Sequence, residues 1–427
     1  IFDKAVAASV RLTHLPLGVV VFLWQFVTIL LILWGCLAIA RRCFSSRPAQ
    51  WAAVAMVAVL LTIPVAGTGI SLVDQYLHPR AVATAAVLGA IVAILKEQRL
   101  LAGILLALAF VIHAIMASFG ISFCIFLAWS NSPWGKKDQA LATFAVLLLP
   151  LGWIFEPASD AWRQAAATRN FYFLSRWHWY EWVGVFAPLA LLALFAQIAR
   201  RDQSFTLVRL ASRLLYFGIF QMLVALVIML PPSLERLRPF EPMRYLQLIY
   251  LLMFLMAGGL IGEFVLGKRV YRWLLLFVPL GLGMFYVQRQ MYPASAHLEL
   301  PGAPPSNDWV AAFGWVKQNT PTNSLFALNP YYMELPGEDY HGFRALAERS
   351  ALADVVKDAG MAARVPRLAP RWLREVDAAR GWRNFRAADF QSLKNSFGVD
   401  WVVLAQPGVT GLNCPYQNRS VLICRLE

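Results

Sequence analysis

The chain has 427 residues, 59% of them hydrophobic, with 16 Trp, a mean hydropathy of +0.56 and a formal net charge of +14. That apolar excess excludes an ordinary water-soluble protein, although residues 288–427 carry charges every few positions and no run long enough to span a bilayer, and read as a separate soluble domain. A basic balance can signal nucleic acid, but Arg outnumbers Lys and much of the positive charge sits in short connections between apolar runs, so it is a topology signal and no nucleic-acid partner is expected.

In residues 1–16, Phe2, Val6 and Val10 recur four apart on one helical face, while Lys4 and Arg11 share another. Two readings are open: a short helix lying in the membrane interface, or the tail of a loop. The chain starts at Ile1 with no initiator Met and no signal-like basic region, so the natural protein is expected to begin upstream.

Apolar runs follow at 17–40, 51–67, 81–95, 100–113, 115–130, 140–155, 180–198, 206–230, 244–266 and 270–287. Several are shorter than the ~20 residues of a straight span, so residues 17–287 predict a polytopic α-helical membrane domain of about ten helices, some short or broken. Basic clusters at Arg41, Arg42 and Arg47, at 96–99, at Lys136 and Lys137, at Arg200, Arg201, Arg209 and Arg213, and at Lys268 and Arg269 recur after every second run. The positive-inside rule makes those loops cytoplasmic and places the other loops and the C-terminal domain on the extracytoplasmic side. His14, His78, His113, His178, His297 and His341 all fall on or near that outer face.

The first outer loop with chemistry is residues 73–80, where Asp74, His78 and Arg80 sit between two apolar runs. A charge near hydrocarbon costs several kcal/mol unless paired or wetted, so the group is a candidate for binding a phosphate or for acid and base work; a turn with Arg80 reaching the headgroups is the plain alternative. Pro79 disfavours helix at His78 and starts the next helix, fixing these side chains at an N-terminus that welcomes anions. In residues 233–244, Arg236, Arg238 and Arg244 break the usual loop bias, and a guanidinium fork suits phosphate oxygens, whether of a lipid-linked phosphate or of ordinary headgroups. Between 160 and 181, Trp177 and Trp179 read as an interfacial belt, while His178 and Glu181 open a span and are candidate substrate contacts.

In the soluble domain, residues 306–308 cap a helix that runs to about Asn319, and 324–328 is a short strand. Helices near 343–358, 366–380 and 387–397 follow, then a strand at 401–405 and a hairpin over 411–426 that turns near Asn418 and Arg419, which together predict a small α/β domain. The loop 337–344, with Glu338, Asp339, His341 and Arg344, is a candidate cap over the membrane site. Cys414 and Cys424 flank the hairpin turn symmetrically, and either a cross-hairpin disulfide or two buried thiols fits, depending on strand register. Residues 418–420 match a glycosylation acceptor pattern. P-loop, nucleophile-elbow, zinc-helix and dinucleotide patterns are absent.

Three stretches carry a resemblance: Tyr76-Leu77-His78-Pro79-Arg80, Arg238-Pro239-Phe240-Glu241-Pro242-Met243-Arg244, and Trp315-Val316-Lys317-Gln318-Asn319-Thr320-Pro321 leading into a strand. With the topology above, the chain resembles bacterial polytopic glycosyltransferases of the GT-C type, which use polyprenyl-phosphate-linked sugars. The resemblance implies transfer of a sugar from a lipid-linked donor, with Arg80, Arg238 and Arg244 holding the phosphate and with Asp74 and His78 positioning substrate or a divalent metal. It also implies catalytic acids in a first outer loop; here Asp3 is the sole acid before the first complete span, so those acids are expected upstream of Ile1. The rival expectation is a non-catalytic membrane subunit whose outer domain docks a partner complex, its polar loops touching lipid or protein. A transporter fits less well, because mid-span positions are nearly all apolar.

Overall fold

The computed structural model describes residues 1–129, 157–295, 300–305, 307–335, 338 and 341–427. The chain divides into two compact units, Ile1–Glu156 with Phe173–Tyr286, and Pro157–Tyr172 with Val287–Glu427.

In chain order the helices begin with α1 (Phe2–Thr13), α2 (Leu17–Cys43), α3 (Arg47–Val59), α4 (Pro79–Leu95), α5 (Arg99–Ile112) and α6 (Ala114–Ala128). After α7 (Asp160–Ala167), which belongs to the second unit, come α8 (Trp179–Arg201), α9 (Phe205–Met229), α10 (Leu246–Ile261) and α11 (Val270–Met291). The termini follow local chemistry. The Ser46 hydroxyl accepts from the Ala49 amide at the start of α3, Pro79 occupies the first turn of α4, and Arg41 and Arg42 meet the negative end of the α2 dipole. His113 alone separates α5 from α6, with φ −153° breaking the helix and its Nδ1 accepting from the Met116 amide at 3.2 Å.

By length and composition five helices among the described residues suffice to cross a membrane: Leu17–Cys43, Trp179–Arg201, Phe205–Met229, Pro242–Leu266 and Val270–Met291. The apolar α4, α5 and α6 are shorter. The run at 51–67 is helical only to Val59; beyond it Pro64 pairs with Ser71 in an isolated bridge, and Ala66 and Gly69 take positive φ, so residues 60–78 form an irregular connection instead of completing a span. The run at 140–155 and the lysines at 136 and 137 lie outside the described residues. The apolar exterior accords with membrane insertion: Phe22, Phe26, Leu30 and Trp34 of α2 are exposed, and α11 buries no residue. Inside, α4 packs against α2, α5 and α6, with Leu88 and Ile91 fully buried, and α3 lies along α10.

The second unit holds a five-stranded sheet in the order β2-β1-β3-β5-β4, with β1 (Leu325–Leu328), β2 (Ser350–Ala351), β3 (Trp401–Ala405), β4 (Asn413–Gln417) and β5 (Val421–Arg425). β1 runs parallel to β2 and β3, while β5 is antiparallel to β3 and β4. Helix α12 (Asp308–Asn319), capped by Asn307 Oδ1 on the Trp309 amide at 2.8 Å, and α13 (Phe343–Ala347) cover one face through Trp309, Phe313 and Phe343. The other face is closed by Trp382, Phe390 and Leu393, the last two on α16 (Ala387–Phe397). Burial on both faces explains the unbroken apolar runs LFAL, WVVLA and VLICR.

Two features depart from the sequence expectation. The helix expected over 343–358 stops at Ala347, because Glu348 turns left-handed and Ser350 and Ala351 join the sheet as β2, before the chain resumes in α14 (Asp358–Arg364) and α15 (Ala369–Ala378). Arg349 drives that break: its buried guanidinium donates to the Lys317 and Thr320 carbonyls and the Thr320 hydroxyl, satisfying the end of α12. Residues 157–172, grouped with the membrane domain on sequence, belong with the second unit, where Trp162 Nε1 donates to the Ala363 carbonyl at 2.8 Å. Cys414 and Cys424 are joined by a disulfide across the β4/β5 pair. The Asn418 amide donates to the Asp308 carbonyl at 2.7 Å, so the sugar-acceptor nitrogen of that motif is engaged in the fold.

Candidate functional site

The loop entering α4 is pinned before its side chains are considered. Leu72 and Val73 donate to the Ile63 and Leu61 carbonyls, Gln247 Nε2 holds the Leu72 carbonyl at 2.7 Å, and Gln25 Nε2 holds that of Asp74 at 2.9 Å. On this frame Arg80 closes a two-pronged ion pair on both carboxylate oxygens of Asp74. His78 caps α4, its Nδ1 accepting from the Arg80 amide at 3.3 Å and lying 4.0 Å from Asp74 Oδ2. The His78 ring centre is 6.1 Å from that of His113. Burial first, then the positive fields of Arg80, His113 and Arg244, lower the His78 pKa from 6.5 to about 4, against the opposing pull of Asp74. His78 is therefore neutral near pH 7, an acceptor at Nδ1.

Arg244 reaches this group from the other end of the unit's sequence. The chain kinks at Glu241, with φ 55°, between the short helices Pro232–Phe240 and Pro242–Tyr245, and folds the Glu241 carboxylate back onto the Arg244 guanidinium. Both side chains are buried, at 3% and 8% exposure. Beside them a cavity of about 10 Å³, lined by Thr84, Met116, Gly120, Arg244 and Gln247 among others, is the size of roughly one water molecule. Asp74, His78 and Arg80, neighbours in one turn, are thus brought together with the distant Arg244 and with His113, Thr84 and Gln247. The last three were not singled out as site residues on sequence; an imidazole and an amide interrupting apolar runs were the available signal.

The other expected residues serve other contacts. Arg238 lies over the Phe173 ring at 5.2 Å, a ring that Arg176 also covers at 4.4 Å. Glu181 Oε2 accepts the His178 amide at 2.6 Å, so this acid closes the first turn of α8, and the His178 ring stacks on Tyr180. In the second unit, Glu338 Oε1 accepts from the His341 amide at 2.5 Å and faces its Nδ1 at 3.1 Å. Arg344 forks onto Asp358 with two 2.8 Å bonds. Asp339 lies outside the described residues. Among the described residues no group of three or more His, Cys, Asp or Glu side chains could hold a metal ion, so the divalent metal considered on sequence has no donor set there.

Fold and site together define a mostly helical protein, with five helices among the described residues long and apolar enough to cross a membrane, and a small C-terminal α/β unit. Compared with known proteins, the chain matches no family model and no curated protein. Its functional reading therefore rests on its own geometry.

Proposed function

We propose that this chain is a membrane glycosyltransferase that moves a sugar from a lipid-phosphate carrier to an acceptor at the extracytoplasmic face of a bacterial inner membrane. The observation that carries the reading is the convergence of Asp74, His78 and Arg80 with Arg244 at the starts of two apolar helices. Arg80 and Arg244 offer positive charge at that depth, where a phosphate could share the guanidinium edges with Asp74 and Glu241. A histidine held near pKa 4 is too weak a base to match neutral pH, so His78 fits orienting a substrate hydroxyl better than abstracting its proton. The catalytic acid of this reading is not assigned to any residue.

The test is transfer from a radiolabelled polyprenyl-phosphate sugar by the full chain in proteoliposomes. Transfer that falls at least tenfold in Arg244→Gln, with the protein still folded, supports the proposal. No transfer from any of a panel of donor sugars sinks it.

One observation favours a second reading, a non-catalytic membrane subunit that docks a partner complex: both arginines are already engaged by carboxylates of the same chain. Co-purification in a stoichiometric complex without bound polyprenyl lipid would select that reading.

A further inference from the structure

The C-terminal unit has a crevice of its own, and it does not depend on the membrane reading. In the order β2-β1-β3, the chain leaves β1 for β2 on one side and afterwards crosses to β3 on the other. Ligands of parallel α/β sheets sit at the carboxyl ends of such strands, where the connections part. A cavity of about 290 Å³ opens beyond the ends of β1 and β2, close to the lower size limit of small-molecule sites.

Its polar groups differ in what they have left to offer. Arg344 is tied down through both Nη groups, by the Asp358 fork and by the carbonyls of Ala351 and Leu352, and forms part of the wall. Asp354 spends Oδ1 on the amides of Lys357 and Asp358, while its Oδ2 stands 3.8 Å from Arg344 with no hydrogen bond among the described residues. Asn329 Oδ1 accepts from the Tyr331 amide at 3.0 Å, which leaves the Asn329 NH2 to donate outward. Lys357 lines the cavity, and its ammonium feels the carboxylates of Asp354 and Glu338 and the guanidinium of Arg169 without an ion pair or hydrogen bond at contact distance among the described residues. Leu328, Pro330 and Leu352 supply the apolar wall.

We infer that this cleft binds a small anionic saccharide, its acidic group set against Lys357 and Asn329, a hydroxyl donating to Asp354, and one face of the ring against Leu328, Pro330 and Leu352. A neutral sugar leaves the ammonium unanswered. Inorganic phosphate leaves the apolar wall unanswered. A uronate and a sugar phosphate share the required chemistry, and the experiment separates them.

The full chain in detergent micelles is titrated calorimetrically with glucuronate, glucose 1-phosphate, glucose and inorganic phosphate. Lys357→Gln removes the ammonium from an exposed side chain, and Ala345→Trp fills the cleft from an exposed position on α13; thermal melts establish that both variants fold. The expected result is saturable binding of one or both acids, weakened at least tenfold in each folded variant, with glucose and phosphate at least tenfold weaker than the better acid. The inference is overturned if neither acid saturates the wild type, if Lys357→Gln binds as tightly as wild type, or if inorganic phosphate matches the acids.

Discussion

Arg80 holds both carboxylate oxygens of Asp74 across the turn that enters α4, and the two side chains are only 13% and 14% exposed. The bond ties a loop with no regular structure to the first turn of a helix, so it fixes where His78 and the N-terminus of α4 point. Removing one member of a poorly solvated pair strands the other charge, at a typical cost of about 3–5 kcal/mol. Asp74→Asn is therefore expected to lower the thermal midpoint in detergent sharply, and Asp74→Asn with Arg80→Gln less than the sum of the two single changes. Additive losses in a double-mutant cycle would show that the pair does not hold the turn.

The same turn has a pH signature. His78 has a pKa lowered to about 4, against 6.5 ordinarily, by burial and by Arg80, His113 and Arg244, with Asp74 opposing. Between those values the unfolded chain carries a proton at this position that the native chain refuses, so stability contributed here is present above pH 6.5 and is lost as pH falls toward 4. With 42% of the His78 side chain exposed, solvent screening keeps the effect small. His78→Gln should flatten the fall of the melting midpoint between pH 6.5 and 4 relative to wild type. Parallel pH curves for the two proteins would remove His78 from the account.

In the second unit the Cys414–Cys424 disulfide closes a short loop, with a sequence separation of 10. Loop-closure entropy for a ring of that size is worth about 2–3 kcal/mol. Reduction, or the change of both cysteines to Ala, is expected to lower the melting midpoint of this unit, read from near-UV signals of Trp401 and Trp382, which pack in its two cores. Equal melts with and without reductant would mean that the bridge does not constrain the unfolded chain.

How much of this could be read in the sequence depended on whether the signal was local. Long apolar runs, the Pro79 helix start and the strands expected at 324–328 and 401–405 announce themselves through composition and period; α2, α4, α5, α6, α8, α9, α10, α11, β1 and β3 fall on them, whereas the run at 51–67 is helical only to Val59. The break at Arg349 did not, because five hydrogen bonds to a neighbouring helix end and to its own chain outweigh the helical character of residues 343–358. Candidate residues were found where charge sits in apolar surroundings, but their partners were not. Nothing in the spacing of Glu241 and Arg244 says that Arg244 reaches the field of His78, and nothing near His113 says that its ring stands beside that of His78. Glu181 looked functional for the reason that makes it a cap, since an acid three residues into a helix answers a free backbone amide.

The contact of α3 with α10 makes the last prediction, because it rests on residues whose importance is the absence of a side chain. A Cβ on Gly258 would stand 2.5 Å from the Ala52 carbonyl oxygen and 2.6 Å from Met56 Cβ, and one on Gly262 would stand 2.7 Å from Ala49 Cα and 2.8 Å from the Pro48 carbonyl oxygen. The two glycines are four apart, Gly258 in α10 and Gly262 at the start of the π-helical turn Gly262–Leu266 that continues it, so they form one groove along the helix, the arrangement by which membrane helices approach closely when burial of apolar surface from water gives no drive. The obstacles are backbone and Cβ atoms, which cannot swing aside, so Gly258→Ala and Gly262→Ala must part the helices, at an overpacking cost of about 1–3 kcal/mol each. Gly281 of α11 supplies the control: a Cβ there meets nothing within 4 Å, and Gly281→Ala should change stability by no more than about 1 kcal/mol, in the stabilising direction. Melting midpoints of the three variants in one detergent decide the matter. If Gly258→Ala and Gly262→Ala melt with Gly281→Ala, the close approach of α3 and α10 does not hold this unit together.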